Sequence, residues 1–469
     1  MSEENILEKE DVGKLLRKFA IPSVVSMLVI SLYNIVDQFF IGQKVGSLGN
    51  AATNVSFPIM TMCIALMLTF GIGSSAGFNI NMGAGNKKLA KKFVGCGFGM
   101  LFISGTVIAI ITELFLPQLL MFCGSTKSIL PFAVEYMRII AIGFPFVIFA
   151  NGGAHLVRAD GSPVYSMLSN MAGAITNTIL DYIFVMKLDM GMTGAAIATV
   201  IGQVVSFVIV FYYMLHYKTV QIEFKDLIPK LNIVTKIVSY GMAQGLNQLA
   251  MMLVQVVINK SLKHYGDLSV FGPDIPLSCL GVVMKINQLY FSICIGISQG
   301  MQPIASFNVG AGKFDRVKKV YKRAFMVNMF ISCIAFVVFQ IFPREIMEMF
   351  SNEKQLGGQI EVYYQFAVLC FRVFLLATFV NGIQPLSSTF CTSVGESTKG
   401  TFLSLTRQFL YFMPLIIVLP MVLQSMEKDG IYGILYSAPI ADFLAFVTSI
   451  IVVKIIFKKF DSQMPINKG

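Results

Sequence analysis

The chain has no tryptophan, only 3 histidines, and 13% charged residues in a length of 469. Soluble domains carry about 25% charged residues, so roughly half the charge of a water-facing surface is missing. The histidines, His155, His216 and His264, lie far apart and suggest no metal site. The 8 cysteines (63, 96, 123, 279, 294, 333, 370 and 391) form no CxxC and no Cys/His cluster. They read as small apolar residues rather than ligands or disulfide partners. Neither Gly-Ala-Gly stretch, at 83–85 and 310–312, continues as GxxxxGK[ST], so neither reads as an ATP-binding loop. The apolar runs lack period-two alternation, which argues against a β-barrel. No small-residue cleavage site follows "MSEENILEKEDVGKLLRK", so the first span is expected to stay in the mature protein.

What is present is apolar length. Hydrophobic residues make up 55% of the chain and mean hydropathy is +0.73. Uncharged runs of about 20 residues, the length that spans a bilayer, recur from end to end. They predict an all-α integral membrane protein of twelve spans: 15–42, 52–79, 93–116, 132–157, 163–186, 192–216, 233–262, 277–305, 320–343, 361–388, 402–424 and 431–457. Turn and charge signals such as "GAGNKK", "RADGSP", "GAGKFDR", "SNEKQLGGQ" and "MEKDG" separate them.

With the N-terminus inside, 25 of the 36 Lys and Arg, Arg407 among them, fall in inner loops, 8 in outer loops, and Arg138, Lys285 and Arg372 within spans. That bias places both termini in the cytoplasm. It also accounts for the net charge of +11 without a nucleic-acid partner.

The two halves repeat. "NINMGAGNKKLAKKF" (79–93) aligns with "SFNVGAGKFDRVKKV" (306–320), and "GMTGAAIA" (191–198) with "GIYGILYS" (430–437). Each half holds an even number of spans, so the halves share orientation, as in transporters with parallel repeats. The expected division is an N-terminal lobe 1–217, a polar cytoplasmic linker 218–232 and a C-terminal lobe 233–469. The Gly-Ala-Gly stretches read as tight turns ending spans 2 and 8.

"IPSVVSMLVISLYNIVDQFFIG", "GFNINMGAGN", "RADGSP", "NTILDYIF", "GAAIAT" and "QPIASFNVGAGK" together resemble the multidrug and toxic compound extrusion family over essentially the whole chain. The resemblance implies two six-helix lobes around a central cavity, and export driven by a proton or sodium gradient. It is closest to bacterial members with an Asp pair in the first lobe. Members of another branch carry an acid in span 7 and one in span 10; both spans lack Asp and Glu here.

Asp37 lies 19 residues beyond Lys18 and Asp181 18 residues beyond Pro163. Both spans run inside to outside at about 1.5 Å per residue, so the carboxylates reach a similar depth. Tyr33 and Asn177 stand one turn inward on the same faces, and Thr199 enters from outside to the same level. In the family, residues matching Tyr33, Asp37, Asn177, Asp181 and Thr199 form a hydrogen-bonded cluster. Intramembrane acids are expensive and functional by default. A buried carboxylate disfavours its charge, so either protonation or sodium, with Asn177 and Thr199 as neutral ligands, would act as a switch. No further cofactor is implied. Arg138, Arg372 and Asp442 read as helix-end charges or interlobe pairs.

Met27, Phe40, Tyr136, Met252, Met284, Lys285, Gln288 and Phe291 are candidates, by helix phase, to line a cavity for varied amphipathic cations. The expected protein is a monomeric efflux antiporter of a bacterial cytoplasmic membrane and not an enzyme. A lipid-linked oligosaccharide flippase, or an exporter of one metabolite, is the competing reading. A flippase needs a strongly basic cavity, and the spans offer only Lys285, Arg138 and Arg372.

Overall fold

A computed structural model describes residues 6–45, 47–272, 274–349 and 360–463, and among them every regular element is helical. The predicted turn at 351–359, with Lys354, and Lys468 near the C-terminus lie outside the described residues. Twelve long helical units follow one another. α1 is Val12–Lys44, α2 Ser47–Gly83, α3 Lys87–Leu114 and α4 Leu130–Ala159. α5, Pro163–Asp181, continues through a wider π-helical turn, Tyr182–Lys187, and α6 is Gly191–Leu215. In the second lobe α7 is Leu231–Asp267, α8 Asp274–Gly310 and α9 Phe314–Ile341. α10 comprises Ile360–Leu369, Cys370–Phe374, Thr378–Asn381 and Ile383–Ser393. α11 runs Ser397–Leu405, Thr406–Phe412 and Met413–Ser425, and α12 is Gly430–Gln463.

Ten of these are long and apolar enough to cross a membrane, and bent α10 makes an eleventh. The twelfth is α5, whose Ser166, Ser169, Asn170, Asn177 and Asp181 are all buried. A polar face turned inward lowers the hydropathy of this span without exposing it to lipid.

Two departures from the expected spans have local causes. α3 and α9 begin six residues earlier than predicted, because the basic stretches after the Gly-Ala-Gly turns are helical; Asn86 caps α3, accepting from Leu89 N at 3.1 Å. Span 10 is not one rod but bends by 46°. The break falls at residues 375–377, where the backbone turns to tighter bonds, Leu376 N donating to Val373 O (3.2 Å) and Thr378 N to Leu375 O (3.1 Å). Neighbouring side chains hold carbonyls on both sides of the break: Tyr290 OH donates to Thr378 O (3.1 Å), Asn328 to Gly382 O (3.0 Å) and Gln340 to Phe371 O (3.3 Å).

Each lobe has its own apolar core, and a third core joins them at the end of the bundle where both termini lie, the basic face. The exchange is reciprocal. Leu15, Leu16 and Phe19 of α1 pack among Ile297, Met301 and Ile304 of the second lobe, whereas Ile233 and Ile237 of α7 pack with the first. Helix backbones meet there over glycine. A Cβ on Gly83 would sit 2.0 Å from Phe307 O, and one on Gly310 would sit 1.9 Å from Ile80 O. Those two contacts are the same contact seen from each half. The Gly-Ala-Gly stretches therefore do two jobs: Gly85 and Gly312 adopt positive φ (75° and 69°) in the turns, while the first glycine of each sets the interlobe distance.

The N-terminal segment braces the same face. Glu8 pairs with Lys313 (2.9 Å), Asp11 with Arg323 (3.1 Å), and Arg316 donates to Glu10 O (2.8 Å). Lys313, by hydrogen bond and by charge, holds the Glu8 carboxyl below its ordinary range.

Candidate ion-coupling site

The site begins with two glycines. Gly173 of α5 and Gly202 of α6 face each other so closely that a Cβ on either would lie 2.7 Å from the other's carbonyl oxygen. This approach lets Asn177 Nδ2 donate to Thr199 Oγ1 at 3.3 Å, while Thr199 donates to Ala195 O at 2.9 Å. α1 packs along α5 on the other side. Its Asp37 faces Asp181, with the phenols of Tyr33 and Tyr136 close to both acids. The five residues expected to act together, Tyr33, Asp37, Asn177, Asp181 and Thr199, are thus brought to one place.

Its electrostatics are unusual for a protein interior. Asp181 is 0% exposed, and neither of its carboxylate oxygens has a donor; Asp37 Oδ1 and Asn177 Oδ1 lack one as well. Buried oxygens are normally satisfied, and an uncompensated buried charge is costly. No basic side chain forms an ion pair with either acid among the described residues.

A second polar tier lies one step toward the basic face, and sequence reasoning missed it. Asn170 Nδ2 donates to Ser26 Oγ at 2.6 Å, and Ser206 Oγ to Ser169 O at 2.9 Å. Between the tiers is a chamber of about 40 Å³ bordered by Tyr33, Asn151, Asn170, Asn177 and Gln203. Asn170 Oδ1 and Gln203 Oε1 have no donor. A cavity needs about 10–15 Å³ of such volume for one water, so the chamber is roomy enough for water. The signal was in the chain: Ser26 and Tyr33, Asn170 and Asn177, and Thr199 and Ser206 are each seven residues apart. Two turns of helix return a side chain to the same face.

The residues chosen as cavity lining scatter. Met27 sulfur accepts from Gln299 Nε2 at 3.6 Å, so it sits on the seam between lobes. Tyr136 is buried beside the acid pair, and Phe40 packs against Tyr182 in the first lobe. Met284 and Phe291 pack on the second lobe's core; Lys285 and Gln288 are exposed, and Met252 is half-buried.

Three charges differ from expectation. Asp442 is neither a helix-end charge nor an interlobe pair: it is buried and hydrogen-bonded to Arg407 within the second lobe. Arg407, counted with the inner loops although it falls within the predicted span 402–424, lies in α11, and moving one residue leaves the charge bias intact. Arg138 lies at the surface of the first lobe, 3.8 Å from Glu113. Six of the eight cysteines are buried, Cys123 is half-buried and Cys333 exposed, and all are free thiols.

The MatE family model matches residues 22–183 and 243–418, well over half the chain. The chain belongs to the MatE family. It is a multi-pass membrane transporter of that family. Among its relatives are the multidrug export protein MepA of Staphylococcus saprophyticus, 24% identical over 95% of this chain and 94% of the relative. The MepA of Staphylococcus aureus is 25% identical with the same coverage. The fold matches a multidrug resistance MATE transporter in an outward-facing conformation, with TM-score 0.88 and 21% identity over 98% of this chain and 99% of that one. It matches equally a MOP superfamily transporter from Pyrococcus furiosus, with TM-score 0.88 and 21% identity over 97% and 98%. The twelve-helix, two-lobe MATE architecture read from the sequence is the one observed.

Proposed function

We propose that this MATE transporter is a cation-gradient-driven antiporter that exports amphipathic, often cationic, organic compounds from the cytoplasm by alternating access of its lobes. The basic face lies on the cytoplasmic side of a bacterial inner membrane, and the protein works as a monomer. The observation that carries the reading is the facing pair of a half-buried Asp37 and a fully buried Asp181, with Asp37 Oδ1 and both Asp181 oxygens lacking a donor and no ion-pair partner for either among the described residues. Two carboxylates so placed repel, and a shared proton or a sodium ion relieves them. Either species would draw the α1 acid to the α5 acid, with Asn177 and Thr199 supplying neutral oxygens. Its departure would restore the repulsion and favour a different seating of α1. That is how an ion visiting one lobe can bias a two-state packing of the whole. The relatives named for multidrug export support the substrate class.

The test is transport in proteoliposomes. A fluorescent organic cation such as ethidium is followed with proton and sodium gradients imposed separately and no ATP. Gradient-driven movement is expected in the native protein and absent in Asp37→Asn and Asp181→Asn. Full transport in both variants would overturn the first-lobe coupling site and leave the fold untouched.

A further inference from the structure

Residues 218–232, expected as a polar linker, lie pressed against α3. A Cβ on Gly95 would fall 2.5 Å from Asp226 O, and one on Gly99 would fall 1.8 Å from Leu227 O. Lys91 fastens the segment further, reaching Glu223 at 2.8 Å and Asp226 at 3.1 Å. Gly95 and Gly99 stand 8 and 12 residues beyond Lys87, the start of α3. At about 1.5 Å per residue the linker is drawn some 12–18 Å along the helix, below the rim of the bundle.

At that depth its free side is apolar. Phe224 is 71% exposed, Ile228 64% and Leu231 80%. Beside them opens a groove of about 430 Å³ with walls of Phe98, Phe102 and Ile103 from α3, Phe207 and Phe211 from α6, and Ile228. This volume is within the roughly 300–1,000 Å³ of small-molecule sites. Its rim is basic: Lys218 stands four residues beyond Met214 and Lys230 follows Pro229, both lining residues, and the two lysines are exposed, whereas Glu223 and Asp226 are engaged by Lys91, and Glu223 also by Lys225 at 2.6 Å. An aromatic channel facing hydrocarbon beneath a lysine rim matches one kind of molecule, an anionic phospholipid.

We infer that the groove is a binding site for an acyl chain of an anionic phospholipid, with Lys218 and Lys230 drawing its phosphate. Naming the inner leaflet as the source rests on the orientation proposed above; the site itself does not. The fixed linker forms one wall, so a seated lipid would bridge the linker to α3 and α6. The lipid would then stabilise the first lobe from outside, away from Asp37 and Asp181.

The test uses the full chain in nanodiscs of phosphatidylcholine with a trace of phosphatidylglycerol carrying a mid-chain diazirine. Photolabel is expected to concentrate on Phe102, Ile103, Phe211 and Ile228, and unlabelled phosphatidylglycerol should displace it better than phosphatidylcholine. The double variant K218Q/K230Q is expected to reduce that preference by about five-fold for each lysine removed. Ile103→Trp should lower labelling by filling the groove. If that variant does not fold, the exposed lysines still decide the matter. Even labelling over the lipid-facing helices of both lobes, or equal competition by phosphatidylcholine, would overturn the inference. Displacement by ethidium would overturn it too, since the groove would then be a substrate portal. No gradient is applied, so failure here is separable from failure of coupled transport.

Discussion

The two lobes come from one repeated pattern yet treat the same interior space in opposite ways. The turns before α5 and α11 carry Gly161 and Gly395, both at φ 81°, and register the two helices. The turns before α6 and α12 register through Gly194 and Gly433. Under these alignments Gly173 corresponds to Arg407 and Gln203 to Asp442. In the first lobe the glycine leaves a chamber, and acids further along remain unpaired. In the second, an arginine occupies the glycine's place and a carboxylate neutralises it. One repeat stays polar, hollow and uncompensated, while the other is filled and electrically closed. A buried acid is therefore not enough to mark a coupling site: Asp442 is as buried as Asp181, but its charge is matched.

The sharpest way to break this comparison is to neutralise one acid in each lobe. Asp442→Ala strands the Arg407 cation and is expected to destabilise by about 3–5 kcal/mol, read as a drop in thermal or denaturant midpoint in detergent. Asp181→Asn should abolish coupled transport with no loss of stability, because it removes a carboxylate that no donor satisfied. Equal destabilisation by both would mean the first-lobe acids are structural. Filling the chamber comes next: Gly173→Ala places a Cβ 2.0 Å from Ser206 Oγ. It should cost about 1–3 kcal/mol by overpacking and slow ethidium transport; unchanged transport would deny the chamber a part in it. Gly310→Ala drives a Cβ into Ile80 O rather than into a flexible side chain. Cross-linking of cysteines placed on α2 and α8 should then report wider spacing at the basic face, whereas spacing within each lobe should hold.

The smallest effect concerns pH. Lys225, and then Lys91, hold the Glu223 carboxyl down to about 2, from an ordinary 4.5. A depressed carboxylate contributes its stabilisation above the unfolded value and loses it as pH falls through the folded one. The linker should therefore stay attached to α3 from about pH 8 to pH 5 and loosen only between 4.5 and 2. A fluorophore at Phe224 would follow it, and a change in transport above about pH 5 would not come from this ion pair.

Much of this was legible in the chain, for identifiable reasons. Hydropathy located the helices because lipid demands continuous apolar length. Asp37 and Asp181 stood out because charge is rare in such runs. Asn170, Ser26 and Gln203 escaped notice because neutral polar residues cost less in a span and attract less attention. Arg407 was misplaced because helix phase does not say whether a basic residue near a span's end has an acid waiting on the next helix. The bend in α10 depended on donors from Tyr290, Asn328 and Gln340, which sequence distance hides. The linker's apolar underside was masked by the lysines among which Phe224, Ile228 and Leu231 are spaced.

The glycine contacts at the basic face have one more consequence. Gly83 and Gly310 set backbone against backbone, with no interlocking side chains between them. A joint of that kind works as a plain bearing: its surfaces can slide or part without unthreading a rotamer or opening a void. Resistance to separating the lobes there comes instead from what surrounds the joint, the shared apolar core of Leu15, Leu16 and Phe19 among Ile297, Met301 and Ile304, with Glu8–Lys313 and Asp11–Arg323 as removable pins.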